Sequence, residues 1–419
     1  MAANSLLTIS MISRDAAMVL GNTLDLAKRV NRDFDSDFGV KSAQIGQTIN
    51  VRRPIRPTVR VGSVVDIQAM VETYSPLTFS NPIGTDYALT SQELTFSVED
   101  YFDKVVEPSV QRIASEIESL GQALYSKFYN TVGTPGTALV AGATGTALPA
   151  VTKALALLNK NLAPNVGGRK TLLNDPDFNG VLTSSNLTYF NPGPEISKMY
   201  TSGYQGDYAS MRVFMNQLVR SHTNGTFGGS PIVASTVAAN DTWSASSTIA
   251  TSGWTASTTT LNAGDVFTIG SGATGVYMVN AQTKQALSTL QQFTVVTKTV
   301  TDGGGLSTIT VSPAIVTTGG FQNVDKAPAT NAVINVLGAS LATTQLALAF
   351  DRDAIMLATK ELIPYSVGMG KTTTDDQTRI PIRVQQLPDI RTNQEIMRFD
   401  TMVAWATLYE QLGVRICTT

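Results

Sequence analysis

Along the chain the apolar residues follow two rhythms, and the change from one to the other marks its organising stretch. Gln92, Glu93, Leu94, Thr95, Phe96, Ser97 and Val98 alternate polar with apolar, which predicts a half-buried strand. From Val106 the spacing widens. Val106, Val110, Ile113, Ile117, Leu120, Leu124 and Phe128 stand three or four apart and share one helical face. Gln111, Arg112, Glu116 and Glu118 fall largely off that stripe. Pro108 lies near the start, where a missing N–H costs nothing, and Gly133 and Pro135 follow the end as stop signals. A strand turning into one long helix over 106–130, oily on one face, is a spine for other elements to lie across.

The same reading extends in both directions. A first helix is expected over 12–30, with Asp15 in its opening turn and Lys28 and Arg29 in its last, complementing the helix dipole. Over 40–98 the pattern is strands and turns, at 46–54, 58–61 and 64–73, with Pro54, Pro57, Pro76 and Pro82 confining them to edges or bends. This stretch has too little apolar material for a core of its own, so it reads as an extended arm that needs a partner surface. Helices are then expected at 148–161 and from Asp175, with a strand at 170–173. Residues 228–338 change character, rich in Thr, Ser, Gly and Val and full of period-2 runs at 265–269, 276–280, 293–301 and 307–311. Beyond them come a short helix over 353–362, strands at 380–384 and 395–399, a last helix over 401–412 and a final strand at 414–416. The expected class is α+β. The expected division is 1–39, 40–98, 99–225, an inserted all-β domain at 226–340, and a return over 341–419.

Composition narrows the function classes. The formal net charge is −2 and charged residues make up only 15% of the chain, against about 25% in an average protein. No strong field points to nucleic acid or to an anionic membrane, and so low a charge density suits a surface largely covered by other protein. Arg52, Arg53, Arg56 and Arg60 cluster on the arm. Without a basic excess or interleaved aromatics they fit salt bridges to acidic side chains of a neighbouring subunit better than nucleic-acid contacts. One cysteine, Cys417, and one histidine, His222, exclude a disulfide framework and a Cys/His zinc site within one chain. His222 lies in a loop-like Arg-Ser-His-Thr-Asn-Gly run and Cys417 reads as a packing residue or free thiol. Arg14 and Asp15 interrupt the apolar run a signal peptide would need, and the uncharged window 131–152 has the Gly, Pro and Thr content of a loop. A soluble, intracellularly made protein is expected.

Chemical motifs fail on context. Gly270, Gly272 and Gly275 satisfy G-x-G-x-x-G after a strand, but another strand follows where a dinucleotide site needs a helix. Gly370-Lys371-Thr372 ends like a phosphate loop, yet Tyr365 stands at the first glycine. Asp175-Pro176-Asp177 opens like a calcium loop, but Asn186 replaces its final glutamate, and a capped helix start explains the same letters. Asp375 and Asp376 sit in polar loop sequence. No cofactor and no catalytic residue is expected.

The order of these parts resembles the major capsid proteins of tailed bacteriophages, and is most similar to the coat proteins of short-tailed Salmonella phages that carry a β-barrel insertion domain. The likeness is carried by Gly46 to Pro54 at the opening of an E-loop and by Thr90 to Asp100 leading into the spine helix with Glu107-Pro108. It is carried also by Asn262 to Ile269 and Gln292 to Val296 in the insertion, by Ala349 to Ala354 at the return, and by Phe399-Asp400 to Arg415 at the close. The resemblance implies a capsid fold of N-terminal arm, E-loop, spine-helix P-domain and A-domain, assembling as hexamers and pentamers with a scaffolding protein and a portal. It implies a place in the virion around packaged double-stranded DNA, touched non-specifically, with no membrane and no catalysis. Arg52, Arg53, Arg56, Arg60, Glu107, Glu116 and Glu118 are the candidates for subunit contacts. The alternative is a β-rich surface adhesin or fibre, against which the missing signal peptide and the spine helix both count.

Overall fold

The structure, a computed structural model, describes residues 9–33, 48–65, 67, 72–90, 106–140, 145–166, 168–178, 180–182, 207–208, 210–238, 240–365, 369–375 and 378–418. The strand expected at 92–98 lies outside them. Helices and strands are both present, with strands the larger share, and the fold is α+β. The chain forms two compact units, one of Met1–Val51, Ser75–Gln122 and Ile355–Leu408, the other of Arg52–Tyr74, Ala123–Ala354 and Tyr409–Thr419.

In the first unit the spine is the helix Glu107–Gln122, with Pro108 in its first turn, Val110, Ile113 and Ile117 buried along the expected stripe and Ala114 buried beside them. It is shorter than expected. Residues Ala123–Lys127 tighten into a 3-10 turn, and Asn130–Val132 is already a strand, because it pairs in parallel with Gly413–Cys417. The N-terminal helix runs over Ile9–Thr23, followed by a 3-10 turn at Leu26–Lys28, so Asp15 falls outside the first turn. It packs on the spine helix and on the strands Met369–Thr374 and Pro381–Asp389. At Gly121 the spine comes so close to its neighbours that a Cβ would lie 2.8 Å from carbons of both Leu26 and Trp405. An antiparallel sheet in the order Met369–Thr374, Pro381–Asp389, Gln394–Thr401, Ile83–Thr90 completes this side.

Two expected helices are strands. Ile355–Thr359 and Val403–Thr407, read as parts of helices over 353–362 and 401–412, form one antiparallel ladder from Ile355 opposite Thr407 to Thr359 opposite Val403. Only the 3-10 turns Arg352–Ala354 and Glu410–Leu412 remain of the helices. Apolar runs of five residues carry too little periodicity to separate helix from buried strand, and the partner strand decides. The arm also differs. Its ladder pairs Thr48–Arg53 with Thr73–Thr78, and no strand forms over the described residues between them. Pro54 and Pro57 remove ladder donors there.

The second unit holds a mixed sheet in the order Asn130–Val132, Gly413–Cys417, Thr343–Asp351, Lys170–Asn174, Met211–Met215, Asp207–Tyr208. Helix Ala147–Lys160 covers it, burying Ala150, Val151, Ala154 and Leu158. Asp175 caps a following helical turn, its carboxylate accepting the Phe178 N–H at 3.1 Å. Between Gly229 and Val336 six strands run in the order Ile334–Val336, Val266–Ile269, Gln292–Val295, Ser307–Ser312, Ser247–Trp254, Gly229–Val233. The last meets the first through the bridge Ile232–Val333 and the bonds Val233 N–H to Ala332 O and Asn331 N–H to Val233 O, both 2.9 Å, so the sheet closes into a barrel. Alternation along each strand sends Ile249, Phe267, Phe293, Val295, Ile309 and Val311 inward, where Phe267 and Phe293 pack with ring centroids 5.9 Å apart. The Gly270 motif is a turn, with the strand Tyr277–Val279 after it.

Candidate functional site

Two features of the second unit merit construction from their residues: the root of the barrel and the root of the arm. The barrel is rooted through the chain's single histidine. His222 lies on the short strand Ser221–Thr223, whose pairing with Thr343–Asp351 sets it opposite Thr344 and buries its ring. Nε2 stands 2.8 Å from Asp265 Oδ1, and Nδ1 stands 3.1 Å from the Tyr125 hydroxyl. A carboxylate can only accept, so in the neutral ring Nε2 carries the proton and Nδ1 accepts from Tyr125. Asp265 opens a barrel strand. Its second oxygen accepts from the N–H groups of Gly225, at 3.1 Å, and Asn262, at 2.8 Å.

Arg415 completes this junction. It sits fully buried on the closing strand and donates to Gly264 O at 2.7 Å, its guanidinium lying 6.0 Å from the Tyr125 ring centre. Burial pulls its pKa down to about 10. Burial likewise lifts the Tyr125 hydroxyl above its ordinary value, with Arg415 opposing, and pushes the Cys417 thiol up to about 11. Gly264 adopts φ +100°, and a Cβ on it would lie 3.2 Å from the His222 ring. Gln292 then closes the open edge of Asn130–Val132, accepting the Thr131 N–H at 2.6 Å and donating to its carbonyl at 3.0 Å. The His222–Asp265, Arg415–Gly264 and Gln292–Thr131 contacts join barrel to sheet. His222 carries no periodic signal, since its strand has only three residues; being the sole histidine is its one pointer in the sequence.

The arm residues fall into an inner and an outer set. Arg53 pairs with Glu410 at 3.4 Å and lies over Trp243, 5.4 Å from the ring centre, and near Tyr409 at 5.8 Å. Arg56 lies over Phe321 at 5.8 Å, and its backbone carbonyl packs so tightly on Gly320 that a Cβ there would collide with it. Further along, Arg52 faces Glu72 at 3.5 Å with both side chains well exposed, and Arg60 donates to the carbonyl of Gly62. On the spine helix Glu116 is exposed, and Glu107 accepts from Gln111 at 2.9 Å. Glu118 departs from its off-stripe expectation. It is buried, and its carboxylate accepts the N–H groups of Asp25 and Leu26, both 2.8 Å, and of Ala27, 3.3 Å. Its acceptor oxygens are therefore engaged inside its own unit, capping the 3-10 turn Leu26–Lys28.

Among the described residues, no group of three or more His, Cys, Asp or Glu could hold a metal ion, and no helix is long and apolar enough to cross a membrane. The family model described as "P22 coat protein - gene protein 5" matches residues 1–417. No curated protein matches the sequence significantly. Among solved structures, one from Mycobacterium phage Che8 aligns with TM-score 0.48 and 11% identity over 94% of this chain and 90% of that one. One from Microbacterium phage Oxtober96 aligns with TM-score 0.43 and 9% identity over 93% and 91%. The asymmetric unit of the bacteriophage PhiM1 mature capsid gives TM-score 0.43 and 9% identity over 89% and 82%.

Proposed function

From the premise that the chain belongs to the P22 coat protein family and is a major capsid protein forming an icosahedral shell, we propose that it assembles as hexamers and pentamers with a scaffolding protein and a portal. It encloses double-stranded DNA, which it touches non-specifically, and it contributes no catalytic step. Its parts are an N-terminal arm, an E-loop, the spine-helix and A-domain segments, and the barrel as an insertion domain at 226–340.

The observation that carries this reading is the arm. Val59 and Ile67 are each 90% exposed and Val61 is 100% exposed, with Val64 and Val65 nearly as open. Among the described residues nothing covers these side chains, and a run of bare valine and isoleucine on an arm marks a surface that other protein covers. In a closed shell each arm finds that cover on the next copy. The exposed charges Arg52, Arg60 and Glu116 supply the polar part of such contacts, with Arg53, Arg56 and Glu107 at their margins.

Electron microscopy of the protein expressed alone and with its scaffolding protein tests the proposal. Closed shells or polyheads of regular capsomers are expected. Folded monomers under both conditions would overturn it.

A further inference from the structure

At the arm root, Arg53 has a carboxylate and, among the described residues, Arg56 has none. The Arg56 guanidinium rests on the Phe321 ring and is half-buried. Its backbone carbonyl touches Gly320, and the carbonyl of that same Gly320 accepts the Lys284 ammonium at 2.7 Å. Lys284 is itself half-buried and held on a fixed turn, φ +56°, by its N–H bond to Asn280 O at 2.9 Å. The two cationic residues thus meet at Gly320-Phe321, the Lys284 ammonium on the Gly320 carbonyl and the Arg56 guanidinium on the Phe321 ring. Among the described residues neither has an acidic partner: the groups acting on Arg56 are Tyr129, Tyr409 and Arg53, and the one acting on Lys284 is Arg56. Burial holds both below their ordinary values, and Arg56 lowers Lys284 further.

Like charges side by side, partly out of water and without an anion, are unfavourable in the lone subunit, and an incoming carboxylate relieves that. Resting on the shell reading above, we infer that Arg56 and Lys284 form a receptor for an aspartate or glutamate side chain of a second copy of this chain. The site suits a carboxylate. A planar guanidinium offers a fork and the ammonium a point charge beside it, and the next cation along the arm, Arg53, is already paired with Glu410. The chain has the acids to supply, 32 Asp and Glu against 30 Lys and Arg.

The test is zero-length carbodiimide coupling of shells assembled from an equal mixture of light and heavy-nitrogen subunits, read by peptide mass spectrometry. An amide joining Lys284 to an Asp or Glu peptide of the other isotope is expected in shells and lost in unassembled subunits. Lys284→Met should abolish that peptide, and Arg56→Met should lower its yield while the subunit folds as before. Shells in which Lys284 stays uncoupled, or is shielded from an acylating reagent only when DNA is inside, would overturn the receptor and leave the shell reading intact. If no shells form, both fall together.

Discussion

Between Gly229 and Val336 the chain winds six strands into a closed barrel, while residues 54–65, also rich in valine and poor in acids, form no ladder at all. The barrel turns Ile249, Phe267, Phe293, Ile309 and Val311 onto one another; the arm leaves Val59, Val61 and Val64 in solvent. Both stretches have the residues of strands. They differ in closure. The barrel strands meet partners on both sides within the same chain, and prolines at 54 and 57 deny the arm that option. Hydrophobic side chains that close on themselves stabilise the subunit, and those left open stabilise the assembly.

That contrast breaks most visibly in the barrel core. Phe293 is fully buried against Phe267, and Phe293→Ala should destabilise the isolated subunit by about 3–5 kcal/mol through lost burial and the cavity left behind. Urea unfolding of unassembled protein reads this directly. A shift no larger than that of a surface substitution would mean that the barrel is not a packed core.

The barrel root comes next. Asp265→Ala would strand the N–H groups of Gly225 and Asn262 and the His222 ring, each costing about 1–3 kcal/mol with incomplete additivity. Asp265→Asn keeps one acceptor oxygen and should recover part of the loss. Hydrogen exchange would locate the damage at the Gly225 and Asn262 amides, with the barrel interior still protected. Uniform loss of protection through the barrel would instead make root and core one cooperative unit.

How much of the fold and of the site is legible in the sequence varies with the range of the interactions. Three of the barrel strands, Val266–Ile269, Gln292–Val295 and Ser307–Ser312, follow from period-2 alternation, and the spine helix from its stripe and Pro108, all local signals; Gly229–Val233, Ser247–Trp254 and Ile334–Val336 lie outside the expected runs. The ladder of Ile355–Thr359 with Val403–Thr407 joins stretches almost fifty residues apart. Each run alone, Ile-Met-Leu-Ala-Thr or Val-Ala-Trp-Ala-Thr, fits a helix as well as a strand. Glu118 and Arg415 were hidden for the same reason. A charged side chain, whether on the spine helix like Glu118 or on the closing strand like Arg415, is expected to face water, and only the approach of the turn at Leu26 or of Gly264 makes burial tolerable.

Glu118 yields a smaller effect with a distinct pH signature. Burial raises its pKa above the ordinary 4.5, against the three backbone N–H bonds that favour the anion. A carboxyl whose folded pKa exceeds the unfolded one binds its proton more tightly when folded, so its contribution is fullest below 4.5 and declines as pH rises through the folded value. Glu118→Gln should flatten that part of the stability profile, followed by thermal melts at stepped pH. Unchanged slopes would show that the N–H bonds outweigh burial. Glu118→Ala, stranding the donors, should cost about 1–3 kcal/mol at any pH.

The smallest effect on the subunit should come from the arm, and there the contrast is sharpest. Val61 is fully exposed, so Val61→Ser removes no buried surface and should leave the urea midpoint unmoved, within about 0.5 kcal/mol. If the proposed shell contact holds, the same side chain lies under a neighbouring copy and every subunit repeats the loss, so a change invisible in the monomer should reduce the yield of shells. Light scattering during assembly, beside unfolding of the same preparation, separates the two readouts. A monomer destabilised by Val61→Ser would place the arm among the elements that close on themselves. A stable monomer that assembles normally would leave its exposed valines without a partner and move the assembly contact to another surface.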